Sequence, residues 1–209
     1  MSHPCFRTPI AICRSLYPGY RLNRVNMLEA PEKIEGIAVV NGAELYYEKR
    51  GAGIAVLLIS GSTGDAGNFT PAAHMLADEF TVVTYDRRGN SRSPRPAGWT
   101  TTSVAEQADD AAGLIGSLGL SPAVVFGASV GGLIALDLMI RHPEVVRAGI
   151  VQEPTIFSVL PDPIAALAPR RALIEEALRT KGPRAAKVRA FRVGNPRPKT
   201  SLTSMCRLR

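Results

Sequence analysis

Ala123-Val-Val-Phe126 runs directly into Gly127-Ala128-Ser129-Val130-Gly131-Gly132, and a helical pattern follows from Val130 to His142, where Pro143 stops it. The short apolar run reads as a buried strand and the longer stretch as a helix, so Ser129 falls on a tight strand-to-helix turn. A serine at such a turn is lifted clear of the sheet. Glycines two residues to either side leave room where strand and helix cross closely. The Val130 N–H, at the helix start, is then free to face a developing oxyanion.

Working outward, the same alternation repeats. Ile54-Ala-Val-Leu-Leu-Ile59 is a continuous apolar run, read as a strand buried on both faces. A Gly-rich loop, Gly61 to Gly67, follows it, and a helix is expected from Thr70 to Phe80 with Pro71 in its first turn. Thr81 to Tyr85 is the next strand and leads into Asp86-Arg-Arg-Gly-Asn-Ser-Arg-Ser93. Ser103-Val-Ala-Glu106 has capping-box spacing and opens a helix to about Leu118, ended by Gly119. Arg147 to Val151 is a further strand. Upstream, Gly36–Val40 and Glu44–Glu48 flank Asn41-Gly42, a hairpin signal. The fold class is therefore α/β: a mostly parallel sheet with an N-terminal antiparallel hairpin and helices on both faces.

The chain of 209 residues carries a net charge of +7, and its location decides what that means. Residues 1–26 hold four Arg and no acid. Residues 27–162, which hold the strand and helix pattern just read, are acidic by seven charges. Residues 163–209 are basic by ten. A nucleic-acid surface is a basic face of the folded body, so an acidic body between basic ends argues against nucleic-acid binding. No apolar run approaches the roughly 18 residues of a membrane-spanning helix. Cys5, Cys13 and Cys206 lie outside the body and show no metal-ligand spacing. A cysteine-free body suits a reducing compartment, and a cytoplasmic location is expected.

Residues 1–26 lack a signal-peptide apolar segment, and the ordered pattern begins soon after Met27. We expect 1–26 to be a non-native leader, 27–160 the core, 161–193 the start of cap helices (Ile164 to Thr180, then Pro183 to Arg192), and 194–209 an out-of-frame or disordered tail. The last acidic residue is Glu176, and no period of 2 or 3.6 survives beyond Gly194.

The loop after the strand Ile54–Ile59, the D-x-R-G-x-S run Asp86 to Ser91 and the G-x-S-x-G elbow Gly127 to Gly131 occur in one order. That ordered set, over residues 36–155, resembles the α/β-hydrolase fold superfamily. The resemblance implies acyl transfer by a Ser–acid–His triad in that chain order, with Ser129 as nucleophile. It implies an oxyanion hole from the N–H of Val130 and of Ser62, with Thr63 as alternate. It implies a small-molecule ester or similar acyl substrate and no metal or organic cofactor. Serine at the elbow argues against the dehalogenases and epoxide hydrolases of the superfamily, whose nucleophile is Asp. Esterase, lipase-like, C–C hydrolase and cofactor-free haloperoxidase chemistry remain open.

The chain departs from the family at the base. His3 lies in the leader, His74 in the helix after the Gly-rich loop, and His142 at the far end of the elbow helix, about 20 Å from Ser129 at 1.5 Å per residue. No triad His is found. Glu153, after the strand Arg147–Val151, is the candidate acid, with Asp162 a weaker one. Asp86 and Arg87 are expected to satisfy loop backbone and each other, and Arg88 is weighed as a substrate contact. The expectation is an inactive fragment of a serine hydrolase, cut short by a frameshift or early stop. The alternative is a non-catalytic binding or partner module on the same fold.

Overall fold

The computed structural model describes residues 32–194; the leader 1–26 and the tail beyond Gly194 lie outside the described residues. Strands β1 (Lys33–Val40) and β2 (Ala43–Arg50) form the expected hairpin. Asn41 and Gly42 both take positive φ, 48° and 71°, as the tightest two-residue hairpin turn requires. Strands β3 (Ile54–Ile59), β4 (Phe80–Tyr85), β5 (Ala123–Ala128) and β6 (Val146–Gln152) complete one six-stranded sheet in the order β1-β2-β4-β3-β5-β6. The hairpin joins β4 antiparallel, and β4, β3, β5 and β6 run parallel.

Helices cover both faces. Alternate residues of β3 divide between two apolar clusters. Ala55, Leu57 and Ile59 join Leu114 and Ile115 of α2 (Val104–Ser117) and Ile134 and Leu138 of α3 (Val130–Arg141). Val56 and Leu58 face Ala73 of α1 (Thr70–Leu76) on the other side. Period-two alternation with apolar residues on both sides is what a central parallel strand needs. Ser103 caps α2 as the capping box predicts, its Oγ accepting from the Glu106 N–H at 3.0 Å.

One helix end differs from expectation. Helix α1 stops at Leu76 rather than Phe80, because Phe80 is taken into β4 opposite Ile54. The two helices expected over 164–180 and 183–192 are found within α4 (Pro163–Gly194), which is two helices meeting at a kink at the non-helical Gly182 (φ 78°, ψ −179°). No described helix is long and apolar enough to cross a membrane.

Strand β6 borders the described sheet on its far side, and Ala148, Gly149 and Ile150 along it are exposed, Ile150 by 56%. An exposed edge with an apolar side chain is a template for pairing with another chain. A chain with this edge uncovered should self-associate, and Ile150→Lys should shift it toward monomer with little change in melting temperature. Light scattering coupled to size exclusion checks this; a wild-type protein that is monomeric at high concentration would contradict it.

Candidate active site

The chain leaves β3 toward β4 on one side and later returns to β5 on the other, so the strand order reverses at β3. Ligands of open α/β sheets bind in the crevice beyond the carboxyl ends of strands at such a reversal. Three segments meet there: Ser60–Gly64 after β3, Asp86–Ser93 after β4 and Ser129 after β5.

Ser129 sits at φ 55°, ψ −119°, a conformation that a residue with a side chain rarely adopts. Strain of about 1–3 kcal/mol persists only where neighbours over-determine it. Here the Ser129 N–H donates to Gln152 O at 2.9 Å, tying the turn to the end of β6, and the Gly132 N–H closes back on Ser129 O at 2.9 Å. A side chain on Gly131 would drive into the carbonyl of Ile59, and one on Gly127 into the carbonyl of Gly131. The backbones of β3, β5 and α3 therefore pack closer than any other residue allows. Ser129 is half-buried, and Val130, as the first residue of α3, has no intrahelical acceptor for its N–H.

Gly61 lies directly against this turn; a Cβ placed on it would stand 3.3 Å from Ser129 Cβ and 3.8 Å from Ser129 Oγ. Its carbonyl is turned inward and accepts from Arg87 Nη2 at 3.0 Å and from the Gly64 N–H at 3.1 Å. Ser62 is exposed at the lip and Thr63 is half-buried. Both line a polar recess of about 360 Å³ with Gly64, Asp65, Asn90 and Ser91.

The loop after β4 is a hub of charge. Asp86 is fully buried and accepts from the Ala66 N–H (2.7 Å), the Arg92 N–H (3.0 Å), Arg92 Nε (2.7 Å) and Arg92 Nη2 (2.9 Å). Burial pushes this carboxyl up, but the bonds from Arg92 and the Ala66 N–H outweigh it and hold it below the usual carboxylate range. Arg92 also reaches Glu48 and stacks over the Tyr46 ring, 3.7 Å from its centroid. The partner of Asp86 is thus Arg92 and not Arg87, since the Arg87 side chain spans to Gly61 O and Gln107 Oε1. Arg88 is buried and pairs with Asp110 through two bonds of 2.8 and 2.6 Å, and with Asn41 O at 2.9 Å. It braces α2 and the hairpin, leaving no donor set facing the crevice for a substrate. Sequence reasoning named neither Arg92, six residues from Asp86, nor the partners of Arg87 and Arg88, which lie 20 to 47 residues away; three arginines in six residues were the available signal.

No described hydrogen bond reaches Ser129 Oγ from a histidine. His142, beyond the end of α3, bonds Asp109 at 2.7 Å. His74 lies on α1 and His3 outside the described residues. Glu153 directly follows Gln152, whose carbonyl holds the Ser129 N–H. It takes φ 45° and is exposed, and no described side chain pairs with its carboxylate. Asp162 instead caps the start of α4 through the Ala165 N–H, 2.9 Å.

Residues 54–180 match the model of the alpha/beta hydrolase fold family. An uncharacterised hydrolase of Bacillus subtilis, YraK, is 45% identical over 125 residues, covering 60% of this chain and 46% of that protein. A putative carbamate hydrolase, RutD, of Azorhizobium caulinodans is 40% identical over 106 residues, covering 51% of this chain and 39% of that one. Among solved structures, a thermophilic esterase from Thermogutta terrifontis superposes with a TM-score of 0.59 at 28% identity, covering 72% of this chain and 55% of the esterase. The chain thus spans less than half the length of these curated relatives.

Two outcomes follow from the charge hub. Because the folded Asp86 carboxyl titrates below its unfolded value, its contribution is complete above about pH 4 and fades as pH falls through the folded value. Asp86→Asn should lower the melting temperature at pH 7, and the gap to wild type should close toward pH 2 in a pH series of thermal melts. Arg88→Met leaves the buried Asp110 carboxylate without its cation and should cost about 3–5 kcal/mol in urea titrations.

Proposed function

The chain belongs to the α/β-hydrolase fold family, and on that footing we propose that it carries the nucleophile half of a serine hydrolase acting on an ester, carbamate or similar acyl substrate. The observation that carries this reading is the strained Ser129 turn, held against Gly61 by glycine-only contacts. In this reading Ser129 Oγ attacks the acyl carbon and its proton passes to a base. The carbonyl oxygen becomes an oxyanion held by the N–H groups of Val130 and Ser62. Collapse expels the alcohol or amine, and water then hydrolyses the acyl-enzyme. Residues 161–193 would begin a cap over the crevice. The carbamate and ester options draw on the names of RutD and the Thermogutta esterase.

Among the described residues, no histidine bonds Ser129 Oγ as a proton acceptor. Of the described histidines, His142 is committed to Asp109 at the far end of α3, and Glu153 would act only through a histidine. Without a base, Ser129 is a weak nucleophile at neutral pH, so this chain alone turns over little or no substrate.

A fluorophosphonate probe followed by intact mass tests both parts. Labelling should be slow at neutral pH, accelerate as hydroxide takes over the base's role, and vanish in Ser129→Ala. Rapid neutral labelling lost in that variant would overturn the missing base. Equal labelling of wild type and variant would overturn Ser129 as nucleophile and favour a non-catalytic binding module.

A further inference from the structure

The carbonyl of Gly61 belongs to the same peptide unit as the N–H of Ser62. In a planar trans peptide the C=O and N–H point in opposite directions. A group that fixes one therefore aims the other. We propose that Arg87 is a positioning residue for the oxyanion hole, setting the direction and donor strength of the Ser62 N–H through the Gly61 carbonyl. This rests on the reading of Ser129 and Ser62 given above.

Four observations support it. Arg87 Nη2 donates to Gly61 O at 3.0 Å, and no other described side chain bonds that carbonyl. Arg87 itself is buried, with Nη1 on Gln107 Oε1 at 3.4 Å; Gln107 is in turn held to Thr102 Oγ1 at 2.9 Å. The guanidinium is therefore anchored on α2, whose Ala108, Ala111, Leu114 and Ile115 pack into the apolar core. The Gly61 carbonyl faces this buried cation, so the Ser62 N–H points away from the interior, and Gly61 already touches the Ser129 turn.

The energetic argument has two parts. A charged donor on a carbonyl polarises the peptide and strengthens its N–H as a donor, as in any hydrogen-bonded chain of peptides. The buried cation also lends positive potential to the spot where the oxyanion forms, in surroundings that screen it poorly. Ionic partners for Arg87 are conspicuous by their placement elsewhere: Asp86 is saturated by Arg92 and Ala66, and Asp110 by Arg88. Burial accordingly weakens the hold of Arg87 on its proton, with no carboxylate partner to counter it. A buried arginine whose bonds go to neutral acceptors is costly for stability alone, and a role in aiming the loop gives that cost a counterpart beside Ser129.

The test uses the 209-residue chain, labelled with 13C and 15N, as wild type, Arg87→Met, Arg87→Lys and Gln107→Met. In Arg87→Met the Gly61 carbonyl carbon and Ser62 amide resonances should move upfield. Ser62 amide exchange should quicken about tenfold or more while β3 and β5 amides keep their protection. Arg87→Lys should restore part of the shift, and Gln107→Met, which keeps the charge but loosens its anchor, should fall between. The second-order rate of Ser129 phosphonylation at high pH should fall about tenfold in Arg87→Met, a fraction of the hundredfold or more expected when an oxyanion donor is removed outright. If the methionine variant fails to fold, the lysine and Gln107 variants carry the comparison. Wild-type Gly61 and Ser62 resonances in every folded variant would overturn the proposal. Shifted resonances with no Ser129-dependent labelling in any protein would leave the brace standing and overturn the hydrolase reading instead.

Discussion

The close approach of three backbones, β3, β5 and the first turn of α3, is the constraint on which the rest of the site depends. Gly131 lies against the Ile59 carbonyl and Gly127 against the Gly131 carbonyl, so neither position admits a Cβ. That contact draws the helix start down onto the sheet and leaves Ser129 no relaxed conformation. The hydrogen bond from its N–H to Gln152 O recruits β6 into the same restraint. Strain at one residue is thus balanced by packing spread over four elements, the usual condition for keeping a strained residue in place. Loosening any of the four would relax the serine into an ordinary turn.

A second layer of order comes from charge. The segment Asp86 to Ser93 sends three arginines in three directions: Arg87 to the loop after β3, Arg88 to α2 and the hairpin, Arg92 back onto Asp86 and across to Glu48. Removing such groups from water is costly: Arg88 is buried against Asp110, Arg92 stays partly exposed, and Arg87 is buried with its Nε unpartnered. The arrangement links the loop after β3, α2 and the hairpin to one loop, which itself hangs from the end of β4. The apolar core positions the strands; this polar hub positions the loops between them.

The sequence disclosed the parts governed by periodicity and local turn chemistry. Apolar runs located all six strands, Asn41-Gly42 the hairpin and Ser103 the start of α2, because each signal is written within a few residues. Ser129, Val130 and Ser62 stand at the strand ends where their spacing put them, although their chemical roles rest on the proposal. What stayed hidden was long-range. The exchange of Asp86 from Arg87 to Arg92 turns on which guanidinium can fold back after the Gly89 turn, a matter of backbone path rather than spacing. The bonds of Arg87 to Gly61 and Arg88 to Asp110 cross 22 to 26 residues. The early end of α1 is likewise set by pairing of Phe80 with Ile54, a contact between strands 26 residues apart.

On the proposed reading, the two halves of serine chemistry fall to different parts of the protein. Nucleophile and oxyanion donors would be placed by β3, β4, β5 and α3, all within the described residues. Proton transfer asks for a histidine that those residues do not bring to Ser129. In serine hydrolases stripped of their triads, oxyanion donors and binding alone still leave a residual rate of about 10³–10⁴ over water. Preorganised donors are therefore useful before any base arrives, since they cost no further ordering at the moment of reaction. On the proposed reading, a histidine delivered to this crevice meets a site already aimed, and the barrier it must lower is that of the proton alone.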